Sequence, residues 1–230
     1  MVLFKPETGA PVCVVHAREI TAIRTAAASA VATDALARPD ATRLAILGYG
    51  EQAATHCRAL LKVQKIAAVR VWGRSLERAE VFCRWMGTEL GVPFSSCAEV
   101  EDLVSDADII CTVTGAHEPI LKGKWVRPGT HVNLVGSSVA GPAEVDTDFV
   151  VRSRFIADSR EGVLQQGAEF LRANAAGAVG DTHVVGEIGQ VLVGDVVGRR
   201  SESDITAYKS LGHVVQDLAS ASVLYRGVSA

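Results

Sequence analysis

Residues 44 to 53 read Leu44-Ala45-Ile46-Leu47-Gly48-Tyr49-Gly50-Glu51-Gln52-Ala53, an apolar strand running into the spacing G-x-G-x-x-A. Each small residue in such a turn has a physical task. The first glycine permits a tight strand-to-helix turn, the second lets the backbone approach a pyrophosphate, and the third small residue lets the helix pack on the strand. The helix expected from about Gln52 to Leu61 points its N-terminal N–H groups and positive dipole end at the anion. Gly48, Gly50, Glu51 and Gln52 are thus the first candidate cofactor-binding residues. The loop alone is a weak signal of a dinucleotide-binding βαβ unit, and the case rests on what surrounds it.

A second strand, Ala67 to Trp72, follows at the right distance and ends at Gly73-Arg74-Ser75. An Asp or Glu at that tip holds the ribose 2′-hydroxyl of NAD; an Arg accommodates a 2′-phosphate, because its fork of donors matches phosphate oxygens. Here the tip carries Arg74, with Arg78 one turn further on. The expected cofactor is therefore NADP(H) in preference to NAD(H), held by Gly73, Arg74, Ser75 and Arg78. The plainer alternative makes both arginines solvated residues on the first turn of a surface helix.

Outward from these two strands the pattern keeps alternating. Further strands are expected near 108–113, 131–135 and 154–157, with helices at 75–90, 144–153 and near 187–193. A short strand, Ile205 to Ser210, and a helix from about His213 to Tyr225 close the chain. Alternation of this kind requires a parallel sheet, so residues 41–210 are expected to form an α/β, Rossmann-type doubly wound domain. Upstream, residues 2–16 read as a hairpin turning at Pro6-Glu7-Thr8-Gly9, followed by an Ala-rich helix from about Arg18 to Ala37. A two-stranded hairpin is marginal alone. It is expected to be the edge of a larger sheet, completed by a partner subunit or belonging to a chain shortened at its N-terminus.

Bulk properties exclude several classes. With 230 residues, 48% hydrophobic and 21% charged, the chain suits a globular domain plus a partial second unit. A net charge of −3, with no long run of either sign, gives no nucleic-acid footprint. No stretch approaches the roughly 20 apolar residues that span a bilayer, and the N-terminus is not a signal peptide. Five cysteines without C-x-x-C spacing point to reduced thiols in a cytoplasmic protein and to no metal site.

Four stretches together carry a more specific signal. They are Ile20 to Ser29, containing Arg24-Thr25-Ala26-Ala27-Ala28-Ser29; the Gly48–Ala53 loop; His131-Val132-Asn133-Leu134-Val135-Gly136-Ser137-Ser138; and Tyr208-Lys209-Ser210-Leu211-Gly212. In these the chain resembles the ornithine cyclodeaminase / mu-crystallin family, and the resemblance runs over essentially the whole length. It implies a nucleotide-binding domain plus a second domain, built from residues 1–37 and 211–230, that binds an amino acid or cyclic imino acid and forms a homodimer. Arg24 then matches the arginine that grips the substrate carboxylate, a contact whose bidentate form fixes orientation as well as charge. Thr25, Thr112, Thr114, Val135 and Ser210 match positions along the cofactor, and Gln166 matches a ligand-contact position. For Thr112, Thr114 and Ser210 the alternative is satisfaction of strand-end backbone groups.

Two departures from the family pattern shape the functional expectation. Cyclodeaminases carry an aspartate where this chain has Ser138, which cannot serve as a carboxylate base near neutral pH. This is the pattern of the mu-crystallin-like branch, so NAD(P)H-dependent reduction of small cyclic ketimines of the pyrroline- or piperideine-2-carboxylate type is expected, with Arg24 and Ser138 as the catalytic-site residues. Related amino-acid dehydrogenation belongs to the same expectation. Cyclisation of ornithine to proline with loss of ammonia is the alternative. The resemblance also implies a segment upstream of Met1, bearing a further arginine and a lysine of the active site, so a shortened, catalytically impaired NADP-binding protein is the third possibility. His56, His213 and Glu187 are expected to be structural, while His117 and Glu118 fall in a loop near the nucleotide.

Overall fold

The computed structural model describes residues 1–229; residue 230, the last of the C-terminal segment assigned above, lies outside the described residues. The core is an eight-stranded sheet, parallel throughout, built from β3 (Arg43–Leu47), β4 (Ala68–Trp72), β5 (Phe94–Ser96), β6 (Ile109–Thr112), β7 (His131–Leu134), β8 (Ser153–Ala157), β9 (Val184–Glu187) and β10 (Ile205–Lys209). Their spatial order is β5-β4-β3-β6-β7-β10-β8-β9. The expected doubly wound α/β fold is what forms.

The apolar run of β3 is explained by burial on both faces, as in parallel sheets covered by helices. Ala45 and Leu47 enter one core cluster, with Val100, Leu103, Phe149 and Phe170, whereas Leu44 and Ile46 enter the other, with Ala53, Cys57, Phe82 and Met86. The second cluster is covered by α1 (Ala17–Leu36), α2 (Glu51–Val63) and α3 (Leu76–Leu90). The first lies under α4 (Val100–Val104), α5 (Thr147–Arg152), α6 (Arg160–Gln166) and α7 (Ala168–Ala175).

Several boundaries depart from the pattern reading, each for a local reason. The helix expected over 144–153 begins only at Thr147, because Asp146 caps it, accepting from Phe149 N at 2.9 Å. Upstream of that cap Val145 bridges to Leu121 in extended form and Glu144 is drawn fully inside. The helix expected near 187–193 is preceded by strand β9 and shrinks to α8 (Ile188–Leu192), with Glu187 as its N-terminal cap rather than a site residue. Edge strand β5 is three residues long, two of them serine, too short and polar to announce itself. The last strand, β10, is internal, paired between β7 and β8, and every one of its residues is buried.

The N-terminal hairpin, β1 (Val2–Phe4) with β2 (Pro11–Val14), forms its own two-stranded sheet. Leu3 clusters with Ile20 of α1 and Ala221 of α9 (Val214–Ser229), so hairpin, α1 and α9 share a small core. Helix α1 also reaches the main domain: Ser29 Oγ meets His56 Nε2 of α2 at 2.9 Å, and Thr33 accepts from Asn133 Nδ2 of β7 at 2.8 Å. No helix among the described residues is long and apolar enough to cross a membrane.

Candidate cofactor and substrate site

Strand order reverses between β3 and β6, and in open α/β sheets the crevice at such a reversal, beyond the carboxyl ends of the strands, is where nucleotides bind. A groove of about 500 Å³ opens there, lined by Gly48, Tyr49, Gly50, Gly73, Arg74, Thr114, Gly115 and His117 among others. Gly48 has φ +122°, and a Cβ there would lie 2.8 Å from the carbonyl oxygen of Val113. The position thus requires glycine on both conformational and steric grounds. Gly50, which lines the groove, caps α2 with no side chain in the way, Ala53 is fully buried beneath, and the first N–H groups of α2 have no side-chain cap. Arg74 is an exposed wall of the groove; among the described residues it has no ion-pair partner. Ser75 caps α3, accepting from Arg78 N at 3.3 Å, and Arg78 lies exposed on the next turn, outside the lining. Glu51 also lies outside, paired with Arg18 at 3.4 Å on the surface.

A second, smaller pocket of about 170 Å³ lies where α1, α2, the segment after β7 and the segment after β10 converge. Arg24, Thr25, Gln52, Val135, Ser138 and Ser210 all line it, with Thr21, Leu211 and Gly212. Arg24 is held from α9: its Nε donates to Asp217 at 3.0 Å and its Nη1 to Gln216 at 3.2 Å. Gly212, with φ +86°, lies so close that a Cβ would be 2.8 Å from Arg24 Nη1. Its loop is pinned by Asp158, whose Oδ2 accepts from both Leu211 N and Gly212 N at 2.7 Å. Gln52 Oε1 and Ser210 Oγ are enclosed and have no hydrogen-bond partner among the described residues. Buried polar atoms ordinarily find partners, so two orphans on one small pocket mark a place where a polar ligand belongs.

Besides Glu51 and Arg78, two further candidate residues stand apart. Gln166 is exposed at the end of α6 and lines neither cavity. Thr112 is wholly buried and spends its hydroxyl on Glu144, at 2.7 Å, so it supports the groove from behind instead of lining it. Thr114 does both, lining the groove while its N and Oγ1 each donate to Glu144 at 2.7 Å. Burial pushes the Glu144 carboxyl above the usual range, opposed by the threonine donors and by the Lys209 charge.

His56 lies buried between Gln52 O and Ser29 Oγ, and burial lowers it to about 4, so it is a neutral structural imidazole near neutral pH. Both His117 and Glu118 line the groove, and the Glu118 carboxylate is paired there with Arg172 at 2.9 Å. All five cysteines are free thiols, and among the described residues no group of three or more His, Cys, Asp or Glu could hold a metal.

Sequence reasoning missed Asp158, Glu144, Glu169, Gln216 and Asp217. None has a local signature, since each acts on a partner brought near only by the fold; Asp217 lies 193 positions from Arg24.

Comparison with known proteins places this geometry in context. A sequence model described as the ornithine cyclodeaminase/mu-crystallin family matches residues 1–230. The ketimine reductase mu-crystallin of Mus musculus is 36% identical over 225 residues, covering 98% of this chain and 68% of the mouse protein. Among solved structures, the Δ1-pyrroline-2-carboxylate reductase of Thermococcus litoralis, in complex with NADH and L-proline, superposes with a TM-score of 0.95 at 34% identity, covering 98% of this chain and 70% of that one. An archaeal alanine dehydrogenase dimer with bound NAD gives 0.92 at 32% identity, covering 98% and 69%.

Proposed function

From the premise that the chain belongs to the ornithine cyclodeaminase/mu-crystallin family, we propose that it is an NADPH-dependent reductase of small cyclic ketimine carboxylates, of the pyrroline- or piperideine-2-carboxylate type. The observation that carries this reading is the meeting of Arg24, Val135, Ser138 and Ser210, from three separate segments, in one pocket at the end of the nucleotide groove. The residues present fit a nicotinamide dinucleotide. Gly50 leaves open space that a Cβ would fill, Gly48 makes the tight turn that only glycine fits, α2 offers free N–H groups to the phosphates, and Ser210 Oγ and Gln52 Oε1 are unspent polar atoms at the far end.

When bound, the reduced nicotinamide supplies a hydride to the carbon of a C=N bond. The rest falls to this chain. Arg24 binds the substrate carboxylate through the part of its guanidinium not taken by Asp217 and Gln216, and so orients the ring. Thr25, Val135 and Ser210 bound the same cavity and set how deep a ring can enter. Ser138 faces it as a hydroxyl, neutral at working pH. A protonated imine is already electrophilic, so reduction needs no carboxylate at that position, whereas ammonia loss from ornithine does. At the other end, Arg74, assisted by Ser75 and Arg78, selects the 2′-phosphate, which is the ground for preferring NADP(H) over NAD(H).

Residues 41–210 are the nucleotide-binding domain, and 1–37 with 211–230 contribute to the substrate and dimerisation unit. Phe4, Val14, Ile23, Val214, Val215 and Leu218 are exposed on the hairpin, α1 and α9, the elements that share the small second core, consistent with a second copy packing there. The five free thiols support placing the protein in the cytoplasm.

The test is direct. Purified protein with NADPH and pyrroline-2-carboxylate is expected to lose absorbance at 340 nm and to form proline. No change in absorbance, together with ammonia release from ornithine, would replace this reading with the cyclodeaminase one.

A further inference from the structure

Groove and pocket are joined beneath their floors by three buried charged side chains that belong to neither lining: Glu144 and Lys209 are 0% exposed and Glu169 is 1% exposed. Their bonds follow a plan. Glu144 Oε1 accepts from Thr114 N and Thr114 Oγ1, both at 2.7 Å; Oε2 accepts from Thr112 Oγ1 at 2.7 Å and Gly136 N at 2.8 Å. Each oxygen therefore takes one backbone N–H and one threonine hydroxyl, one oxygen serving the segment after β6 and the other joining the tip of β6 to the segment after β7. The main chain of Glu144 is fixed as well, its N donating to Glu169 Oε1 at 3.3 Å and its O accepting from Ile120 N and Leu121 N at 3.0 Å. Glu169 pairs with Lys209 Nζ at 2.8 Å, and the same Nζ donates to Ser137 O, one residue beyond Gly136.

Resting on the cofactor reading above, we propose that Glu144 is a positioning residue for nucleotide binding. Its carboxylate sets the spacing between the segment after β6, which walls the groove, and the segment after β7, which brings Val135 and Ser138 to the pocket. The argument is one of donor and acceptor counting. Two backbone N–H groups, Thr114 and Gly136, converge from different strands on a site away from water; Thr114 N has Glu144 as its acceptor, and Gly136 N divides its bond between Glu144 at 2.8 Å and Thr112 O at 3.1 Å. A carboxylate has an oxygen for each. An amide of the same shape has one oxygen and one NH₂, so one N–H would face a donor and that segment would shift. Lys209, held by Glu169, grips the next carbonyl along, so the Gly136-Ser137 step is fastened on both sides and passes the spacing on to Ser138. Glu144 thus acts through Thr114 and Gly136 and touches no reacting atom.

Glu144→Gln separates positioning from simple stabilisation when the cofactor Kd is read by NADPH fluorescence beside thermal unfolding. The expected result is a rise in Kd for NADPH of about tenfold. A destabilised control, Val150→Ala in α5, is expected to lower Tm with Kd unchanged. Should Glu144→Gln not fold, Thr112→Val removes one hydroxyl donor from a residue outside both linings, and a rise of about threefold is expected. A Kd for the folded variant within twofold of wild type overturns the inference and leaves the cofactor reading standing. Wild-type protein that binds neither NADPH nor NADH overturns both.

Discussion

The two ends of the site are built differently. At the nucleotide end the walls are strand ends of the central sheet: β3, β6 and β7 are buried almost throughout, their C-terminal loops are stitched to one another, and Gly48 has no room to change. At the Arg24 end, one wall is α1, and the arginine it carries is held by α9 from the opposite end of the chain. Helix α9 is apolar and open, with Val214 at 71% and Leu218 at 54% exposure, and Arg24 is held by an Asp217 that is itself a quarter exposed. The nucleotide end is preformed in this chain. The substrate end is steadied by a few polar contacts and presents apolar surface to a further partner. Changes at the Arg24 end should therefore alter turnover and leave both fold and nucleotide affinity, whereas changes at the sheet end should alter affinity or stability first.

Arg24→Met should give the largest effect and the sharpest test of that division. Losing a charge-assisted, orienting contact to a carboxylate costs about 3 kcal/mol, or roughly a 100-fold fall in kcat/KM for the ketimine. Asp217, freed of its partner, is exposed enough to be hydrated. Tm and the Kd for NADPH should change little. A large loss of NADPH affinity in this variant would break the comparison, because it would show the two ends to be one cooperative unit.

What could be read from the sequence follows the same division. The Gly48–Ala53 loop, the Arg74 tip and the alternation around them are local patterns with a spacing set by helix and strand geometry, and the crevice forms where they predict. Arg24, Val135, Ser138 and Ser210 were legible only through resemblance, since nothing in their spacing brings them into one pocket. Asp217, Asp158 and Glu144 were not legible at all. Each is a single acid in an ordinary helical or loop context, and its role depends on a partner supplied by a distant strand or helix. The late start of α5 has the same origin: Glu144 satisfies the local helix pattern, but its carboxylate has donors waiting inside the sheet. Tertiary satisfaction of buried donors overrides local propensity there.

The sheet end should also carry the acid sensitivity. His56 and His131 are fully buried, and burial lowers them from 6.5 to about 4 and about 3. An unfolded chain takes up these protons once the pH falls below 6.5, while the folded chain does so only near the lowered values. Their contribution to stability is thus complete above pH 6.5 and is lost as pH falls toward 4 and then 3. For His56 the difference amounts to something on the order of 3 kcal/mol. Thermal unfolding of wild type should weaken steeply from pH 6.5 to 4, and His56→Gln should flatten that slope by close to one proton. An unchanged slope would mean that α2 opens before His56 is protonated, so that the nucleotide end is less rigid than its hydrogen bonds imply.

The smallest effect concerns the rim of the same groove. Arg74 is exposed, so its attraction for a phosphate is screened by solvent and salt and amounts to about 1.4 kcal/mol, or about tenfold. Arg74→Ala should therefore lower kcat/KM for NADPH about tenfold and leave that for NADH within a factor of two. If Arg74 meets the 2′-phosphate as proposed, any NADPH advantage of the wild type should shrink as salt is raised, because the two nucleotides differ only by that group. Equal losses for both nucleotides would mean that Arg74 holds something they share, such as the pyrophosphate or the ribose. The preference for NADP(H) would then lack its charge, while the glycine turn and the helix N-terminus behind it would still grip either cofactor.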